Sequence, residues 1–429
     1  MLKRIKELLK KLFKTGFFSI YIATITSKVI TLLGGVFIVR FLSQEDYGIY
    51  TLVLNAVSML CIFGDFGASG ATLQYGIETN KEPSKQNGYF KLGMRMVLFS
   101  SLTSIILILL SPIYYPYQNE VIEQLTFIMC GIPILTNSIN YIGMILRVKK
   151  ENNKYSLYQV LTTIIHYVTI IIVTLLFGLK GSLISQYIYN IIIFIIGCFF
   201  IRKHLKLNLA EKIDKNKRKA FWKMGISNQL NNTLGSLLYQ IDIFILGIMT
   251  TNTVDVSIYK VATIIPNALV FLPQCLAIYA NPYFIEHNKD AEWVNYNAKK
   301  IIKYMMPIYA IITISLIACS GLIIDILYGA EYKEAALPFV ILIIGFFFTA
   351  TFKSLLTNII FCLHKIWFGV MLNIVSMIVN VILDIIFIWI FGYIGVGIAT
   401  LIINIISSLI AIIYFRKCIH DLKIKQGEE

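Results

Sequence analysis

Apolar residues fall along this chain in blocks of about 20 or more, with polar residues gathered between them. At 1.5 Å of rise per residue, about 20 apolar residues cross a hydrocarbon core of about 30 Å. Twelve blocks stand out, at about 17–42, 48–70, 92–114, 121–146, 155–177, 182–201, 224–249, 256–282, 303–327, 336–362, 366–390 and 394–415. Alternating ten-residue strands are absent. Only helices or closed barrels satisfy the backbone in lipid, so the blocks predict transmembrane helices. The expected fold is an all-α polytopic membrane protein of about twelve spans.

The polar positions inside the blocks are not scattered. In the first span Tyr21, Thr24, Lys28, Thr31 and Gly35 follow steps of three and four, which is one helical face. The second aligns Thr51, Asn55, Ser58 and Asp65. The seventh aligns Asn228, Asn232, Ser236 and Tyr239, with Gln229, Thr233 and Gln240 beside them, and the eighth aligns Lys260, Thr263, Asn267 and Gln274. A charge at the bilayer centre costs on the order of 3 kcal/mol and usually faces a bundle interior or a wet cavity. Lys28 and Lys353, the latter inside "FVILIIGFFFTATFKSLLTNIIFCL", sit near mid-span, about 16 Å along the helix from the nearest ends. Lys260, Arg40 and Arg95 lie closer to span ends, within reach of a headgroup layer. These patterns predict a polar cavity whose cations are Lys28, Lys353, Lys260 and Arg40. Its lining would be Thr24, Thr31, Asn55, Ser58, Asn228, Asn232, Tyr239, Asn267 and Gln274. Asp65, Asp242 and Asp384 are candidates to carry a coupling proton or sodium ion or to be structural partners, with Asp242 and Asp384 the alternative ion-pair partners of Lys28 and Lys353. Pro266 and Pro273 predict a bent eighth span.

The chain also repeats itself. "DYGIY" (Asp46–Tyr50) recurs as "DVSIY" (Asp255–Tyr259) at an offset of 209, and "LLFGLKGSLIS" (Leu175–Ser185) resembles "WIFGYIGVGIA" (Trp389–Ala399) at an offset of 214. Six spans per half is an even number, so the halves insert with one orientation, as in transporters built from parallel repeats. Residues 1–201 are read as an N-terminal lobe, 202–223 as a basic cytoplasmic linker and 224–429 as a C-terminal lobe. Two pseudo-symmetric six-helix lobes around a central cavity are expected.

Composition agrees with a membrane protein: 57% of residues are hydrophobic and 14% charged. The net charge of +15 has a local explanation that needs no nucleic acid. Basic residues concentrate in the first fourteen residues, in "RVKKENNK", in "RKHLKLNLAEKIDKNKRKAFWK" and in "RKCIHDLKIK", whereas the alternate loops hold only Lys180 and Lys333. The positive-inside rule makes the basic set cytoplasmic, with both termini inside. Leu2, Ile5, Leu9, Leu12 and Phe13 share one side among lysines, which predicts an interfacial helix on anionic membrane lipid. No cleavable signal peptide is expected. The seven cysteines are isolated and the five histidines scattered, so neither a disulfide framework, a metal site nor a cofactor is expected.

"RFLSQEDYGIYTLVLNAVSML" (Arg40–Leu60) and "GDFGASGATLQYG" (Gly64–Gly76) together resemble the N-terminal signature of the Wzx-type polysaccharide flippases. "DIFILGIMTTNTVDVSIYKVATIIPNAL" (Asp242–Leu269), "ILYGAEYKEAALPFVIL" (Ile326–Leu342) and "FGYIGVGIATLI" (Phe391–Ile402) extend the resemblance over about residues 17–415. It implies membership of the multidrug/oligosaccharidyl-lipid/polysaccharide exporter superfamily, and two six-helix lobes around a cationic cavity working by alternating access. It implies a substrate too: an undecaprenyl-diphosphate-linked oligosaccharide carried to the outer leaflet of a bacterial inner membrane. A polysaccharide polymerase is a candidate partner. The resemblance transfers no catalytic residue, and a non-enzymatic protein is expected. The competing readings are a drug/cation antiporter of the same superfamily and a membrane-embedded polysaccharide polymerase or ligase. Two central lysines argue against the first and short external loops against the second.

Overall fold

A computed structural model describes residues 17–117, 119–205, 207–250 and 252–427. The expected interfacial helix over the first fourteen residues lies outside the described residues. Among the described residues the fold is all-α. The helices are α1 (Phe17–Phe41), α2 (Gln44–Leu60), α3 (Ala68–Glu78), α4 (Pro83–Leu110), α5 (Glu120–Ile128), α6 (Ile132–Val148), α7 (Asn152–Ile201) and α8 (Lys215–Met249). They continue as α9 (Thr253–Leu269), α10 (Phe271–Glu286), α11 (Ala291–Ala318), α12 (Ser320–Tyr328), α13 (Ala336–Phe348), α14 (Ser354–Cys362), α15 (Ile366–Phe391) and α16 (Tyr393–Gly427).

Nine helical stretches among the described residues are long and apolar enough to cross a membrane. One of them, α7, is two spans. Its chain reverses at Gly178 (φ 57°, ψ −138°), and its arms lie side by side, with the His166 and Tyr189 rings 4.3 Å apart. The expected second span is interrupted. Helix α2 stops at Leu60, and residues 61–67 turn through positive φ at Gly64, Phe66 and Gly67 before α3 begins. Asp65 therefore lies beyond the helix that carries Thr51, Asn55 and Ser58, and the four do not form one continuous helical stripe. The eighth span bends as its prolines predict, ending α9 at Leu269 and restarting as α10 at Phe271. The tenth contains a π-turn, Thr349–Lys353, between α13 and α14.

The chain divides into two compact units, Met1–Ser236 and Leu237–Glu429. The division falls inside α8 rather than after the basic loop at residue 223. Residues 221–233 belong with the first unit because they pack on it. Phe221 lies against the Tyr75 and Tyr89 rings, and the Thr233 hydroxyl donates to the Ile62 carbonyl at 2.8 Å. The first unit's core is built on Phe90, Met96, Ile145, Leu146 and Phe221. The second is built on Val294, Ala298, Leu356, Ile360 and Ala411. Large apolar side chains such as Leu176, Ile311, Trp389 and Ile413 remain exposed on the helices, an outer surface suited to lipid tails.

The repeat is visible in the backbone. Gly392 (φ 59°, ψ −140°) turns α15 into α16 with the same conformation that Gly178 uses within α7. A Cβ on Gly181 would lie 2.2 Å from the Val173 carbonyl oxygen, and one on Gly395 would lie 2.1 Å from that of Phe387. Each pair is 214 residues apart. Side chains also cap the equivalent helices α2 and α9: Ser43 accepts from the Asp46 N–H, and Asn252 from the Val254 N–H.

Candidate functional site

In the first unit, α1 exposes Lys28, Thr31 and Arg40, while Thr24 is half-buried. The Thr24 hydroxyl donates to the Ile20 carbonyl at 2.8 Å and receives the Gln159 amide at 3.5 Å, tying α1 to the first arm of α7. Lys28 forms no ion pair among the described residues.

The interruption of the second span shows what Asp65 does. Its two carboxylate oxygens accept from the Gly67 and Ser69 N–H groups, each at 2.9 Å, and so cap α3. A helix broken inside an apolar span must satisfy its freed carbonyls within the protein. Thr233 and Gln229 donate to Ile62, and Asn137 donates to Gly64 at 3.1 Å. Gly67 closes the arrangement, because a Cβ there would lie 1.9 Å from the Gly225 carbonyl oxygen. Of the seventh-span stripe, Asn228 is half-buried, with its amide beside Gly70. The flanking Gln229 and Thr233 make the contacts, and the side chains of Asn232 and Tyr239 lie outside the described residues. Asn55 is buried and Ser58 exposed.

A second polar cluster in this unit joins residues that sequence spacing did not single out. The Gln186 amide donates to the Tyr50 hydroxyl at 3.3 Å and lies 3.5 Å from His166 Nε2. Tyr167 and Tyr189 stand against the imidazole, with ring centroids 4.8 and 4.3 Å away.

The second unit buries two carboxylates in its apolar interior. Asp242 on α8 and Asp384 on α15, 142 residues apart, are 9% and 0% exposed. The Asn380 amide donates to both carboxylates, at 2.8 Å each. Asp242 also receives the Tyr259 hydroxyl at 2.7 Å and the Thr400 hydroxyl at 2.9 Å. One oxygen of Asp384 is buried with no partner among the described residues. Neither carboxylate pairs with a lysine, which was one of the sequence expectations; the three ion pairs among the described residues join Glu82, Glu151, Lys85, Lys154 and His204. Two buried carboxylates sharing one amide cannot both stay ionised without a compensating positive charge. The pocket can hold a proton, or a small cation against the oxygens of Asp242, Asp384 and Thr400. Asn380 and Asp384 stand one helical turn apart on one face, a spacing visible in sequence. Tyr259 and Thr400 join them only through the fold. Among the described residues no group of three or more His, Cys, Asp or Glu is arranged to hold a metal ion.

Lys353 is the last residue of the π-turn and is half-buried. The carbonyl of Phe348, just before the turn, receives the Ser408 hydroxyl of α16 at 3.1 Å. Thr349 and Thr351 within the turn have buried hydroxyls without a partner. Single π-turns inside α-helices occur frequently at functional sites. Lys260 is half-buried on α9, and Asn267 and Gln274 are exposed on either side of the break at Val270. Neither Lys353 nor Lys260 forms an ion pair among the described residues.

A family model described as "Polysaccharide biosynthesis protein" matches residues 13–286. No curated protein matches the chain. Among solved structures, an inward-facing multidrug resistance MATE family transporter of the MOP superfamily superposes with a TM-score of 0.81 at 15% identity, covering 92% of this chain and 95% of that one. The lipid II flippase MurJ in an inward closed conformation gives a TM-score of 0.69 at 20% identity, covering 94% and 90%. A MOP superfamily transporter from Pyrococcus furiosus, for which a reversed binding-pocket polarity is described, gives 0.64 at 16% identity, covering 96% of each chain. At these identities the superpositions establish a shared fold of about twelve membrane helices.

Proposed function

Because the chain belongs to the polysaccharide biosynthesis protein family, we propose that it is a flippase for a lipid-linked oligosaccharide. It carries an undecaprenyl-diphosphate-linked repeat unit from the cytoplasmic to the outer leaflet of a bacterial inner membrane by alternating access. The observation that carries this reading is the set of lysines inside apolar spans that form no ion pair among the described residues: Lys28 in one unit, Lys353 and Lys260 in the other. Uncompensated ammonium groups at membrane depth are costly unless they meet an anion, and a diphosphate headgroup is such an anion. Arg40 and the exposed amides Asn267 and Gln274 suit the phosphate and sugar portions of the same headgroup. The solved structure of the lipid II flippase MurJ, which shares the fold, adds support for a lipid-linked cargo.

The buried Asp242–Asp384 pair is the coupling site of this proposal. Binding a proton or sodium ion relieves the repulsion between the carboxylates, and releasing it restores the repulsion. A bound ion therefore favours whichever conformation keeps the pair closest. Asp65 is assigned to capping α3 and not to coupling. Both termini and the basic segments lie in the cytoplasm under this reading, and the product would be passed to a polymerase in the outer leaflet.

The test is leaflet-resolved measurement of lipid-linked glycans in cells depleted of the protein, using an impermeant glycan-cleaving enzyme to mark outer-leaflet units. Complete single units held on the cytoplasmic leaflet are expected. Units that reach the outer leaflet but stay unpolymerised would replace the flippase with a polymerase or ligase. Unchanged glycans with altered drug tolerance would point to the antiporter, the reading that the buried carboxylates and the MATE-like fold also accommodate.

A further inference from the structure

The structural repeat fixes which residues of the two units correspond. At an offset of 209, established by the "DYGIY" and "DVSIY" segments, Tyr50 falls on Tyr259. At an offset of 214, set by the matched turns at Gly178 and Gly392, His166 falls on Asn380 and Gln186 on Thr400. These are the side chains that surround Asp242 in the second unit. In the first unit the same three positions also converge. Gln186 bonds Tyr50 and abuts His166. The acids, however, are replaced: Leu33 and Ile170 stand where the second unit has Asp242 and Asp384.

We infer that His166 is a proton-binding site of the first unit, the counterpart of the carboxylate pocket of the second. A neutral imidazole accepts from the Gln186 amide through Nε2, with its own hydrogen on Nδ1. A proton added at Nε2 points a donor at a donor. Gln186 must then turn its oxygen toward the ring, and the amide that held the Tyr50 hydroxyl moves away. Proton binding thereby rewires the link between α2 and the second arm of α7. The faces of Tyr167 and Tyr189 beside the ring favour the imidazolium once formed.

The titratable groups around His166 are tyrosines: Tyr50 from α2, Tyr167 from its own arm and Tyr189 from the second arm. From α1, Gly34 packs on Tyr167. The cations of that helix, Lys28 and Arg40, lie six residues to either side of Gly34, and both are exposed. From α6, Arg147 is turned to the Tyr155 ring, and Tyr141 donates to the Phe90 carbonyl. No carboxylate among the described residues bonds or pairs with His166, so a bound proton would bring in a charge rather than complete an ion pair.

Proton uptake can be read without assuming any cargo; its use in coupling rests on the flippase proposal. Full-length protein with isotope-labelled histidine, in lipid nanodiscs, gives imidazole resonances to titrate, and His166→Gln identifies the one that belongs to residue 166. That resonance is expected to pass through a protonation step between about pH 3 and about pH 7. A resonance that keeps one form across this range would overturn the inference. Gln186→Leu keeps His166 but removes the donor that favours neutral imidazole. Its midpoint should rise by about half a unit or more, the worth of one buried hydrogen bond; an unmoved midpoint would remove Gln186 from the switch. In proteoliposomes, stimulation of lipid-linked oligosaccharide transfer by a pH gradient, about fivefold or more for a typical coupling, should be reduced in His166→Gln, which leaves the Asp242–Asp384 pair in place. If the resonance titrates while the variant keeps the full gradient response, coupling through His166 is refuted. If wild-type protein transfers no such lipid, it is the cargo assignment that fails, and the titration result stands.

Discussion

The two units use one backbone plan and opposite chemistry at equivalent places. Around Tyr259 in the second, buried carboxylates meet amide and hydroxyl donors. Around Tyr50 in the first, an amide meets an imidazole, and no acid among the described residues bonds to either. The turns at Gly178 and Gly392 agree within a few degrees, so the contrast comes from side chains and not from a divergent frame. A duplicated fold holds its helices by close-packed glycines and capped ends, and the side chains set on that frame are free to take different ions.

The largest predicted effect tests the acidic side of this contrast. Asp384→Asn removes one carboxylate from a pocket with no lysine partner among the described residues, so it should leave the protein folded while ion-driven transfer falls by roughly 100-fold, the upper range of coupling energies. Ion-stimulated transfer in proteoliposomes and membrane abundance would be measured together, and unchanged stimulation would demote the pocket to a structural network. Next comes Lys353→Glu, which reverses a charge beside the π-turn. Substrate transfer should drop about tenfold or more, as expected when a focused field changes sign. Lys353→Arg should retain most activity, and full activity in the glutamate variant would remove Lys353 from the substrate path.

The shared frame gives a third, more symmetrical prediction. Gly178→Ala and Gly392→Ala each force a Cβ into a backbone region that is essentially glycine-only, at about 1–3 kcal/mol apiece. Thermal unfolding midpoints should fall by similar amounts for the two, and a large disparity would break the equivalence of the turns. The smallest effect lies outside the spans, in the first unit. Burial pushes the Glu151 carboxyl upward, but Lys154 and His204 outweigh it and hold the group below the ordinary glutamate range. Its contribution is therefore present above the unfolded value of about 4.3 and is lost as pH falls through the lower folded value. For a half-buried ion pair outside the spans the contribution is at most about 1 kcal/mol. Glu151→Gln should show a correspondingly small drop in unfolding midpoint near neutral pH, and the difference from wild type should disappear in acid.

Block lengths made the helices legible in sequence, and matched motifs made the repeat legible, because both depend on local composition. The break at residues 61–67 was harder to see: Gly64 and Gly67 sit in an apolar run, where glycine serves equally well for close helix packing. Asp65, Asp242 and Asp384 carry the same residue type in similar surroundings, yet one caps a helix and two share an amide. That distinction depends on which backbone N–H groups lie nearby and on a meeting across 142 residues. His166 carries no local signal at all. It stands out only when the 214-residue offset is extended to Asn380, a comparison that needs the unit-2 pocket first. The π-turn has no side-chain signature either, since it is a matter of hydrogen-bond register.

That π-turn bears on which genetic lesions the chain tolerates. Elsewhere in a membrane span, losing one codon rotates everything downstream by about 100° about the helix axis, exchanging the lipid-facing and protein-facing sides. Within 349–353 the chain already holds one residue beyond α-helical register, so a single deletion would return the segment to an ordinary helix and leave α14 facing as before. A deletion scan along the tenth span should accordingly find one short island of stable protein. Its width would report how far the surplus residue is free to migrate.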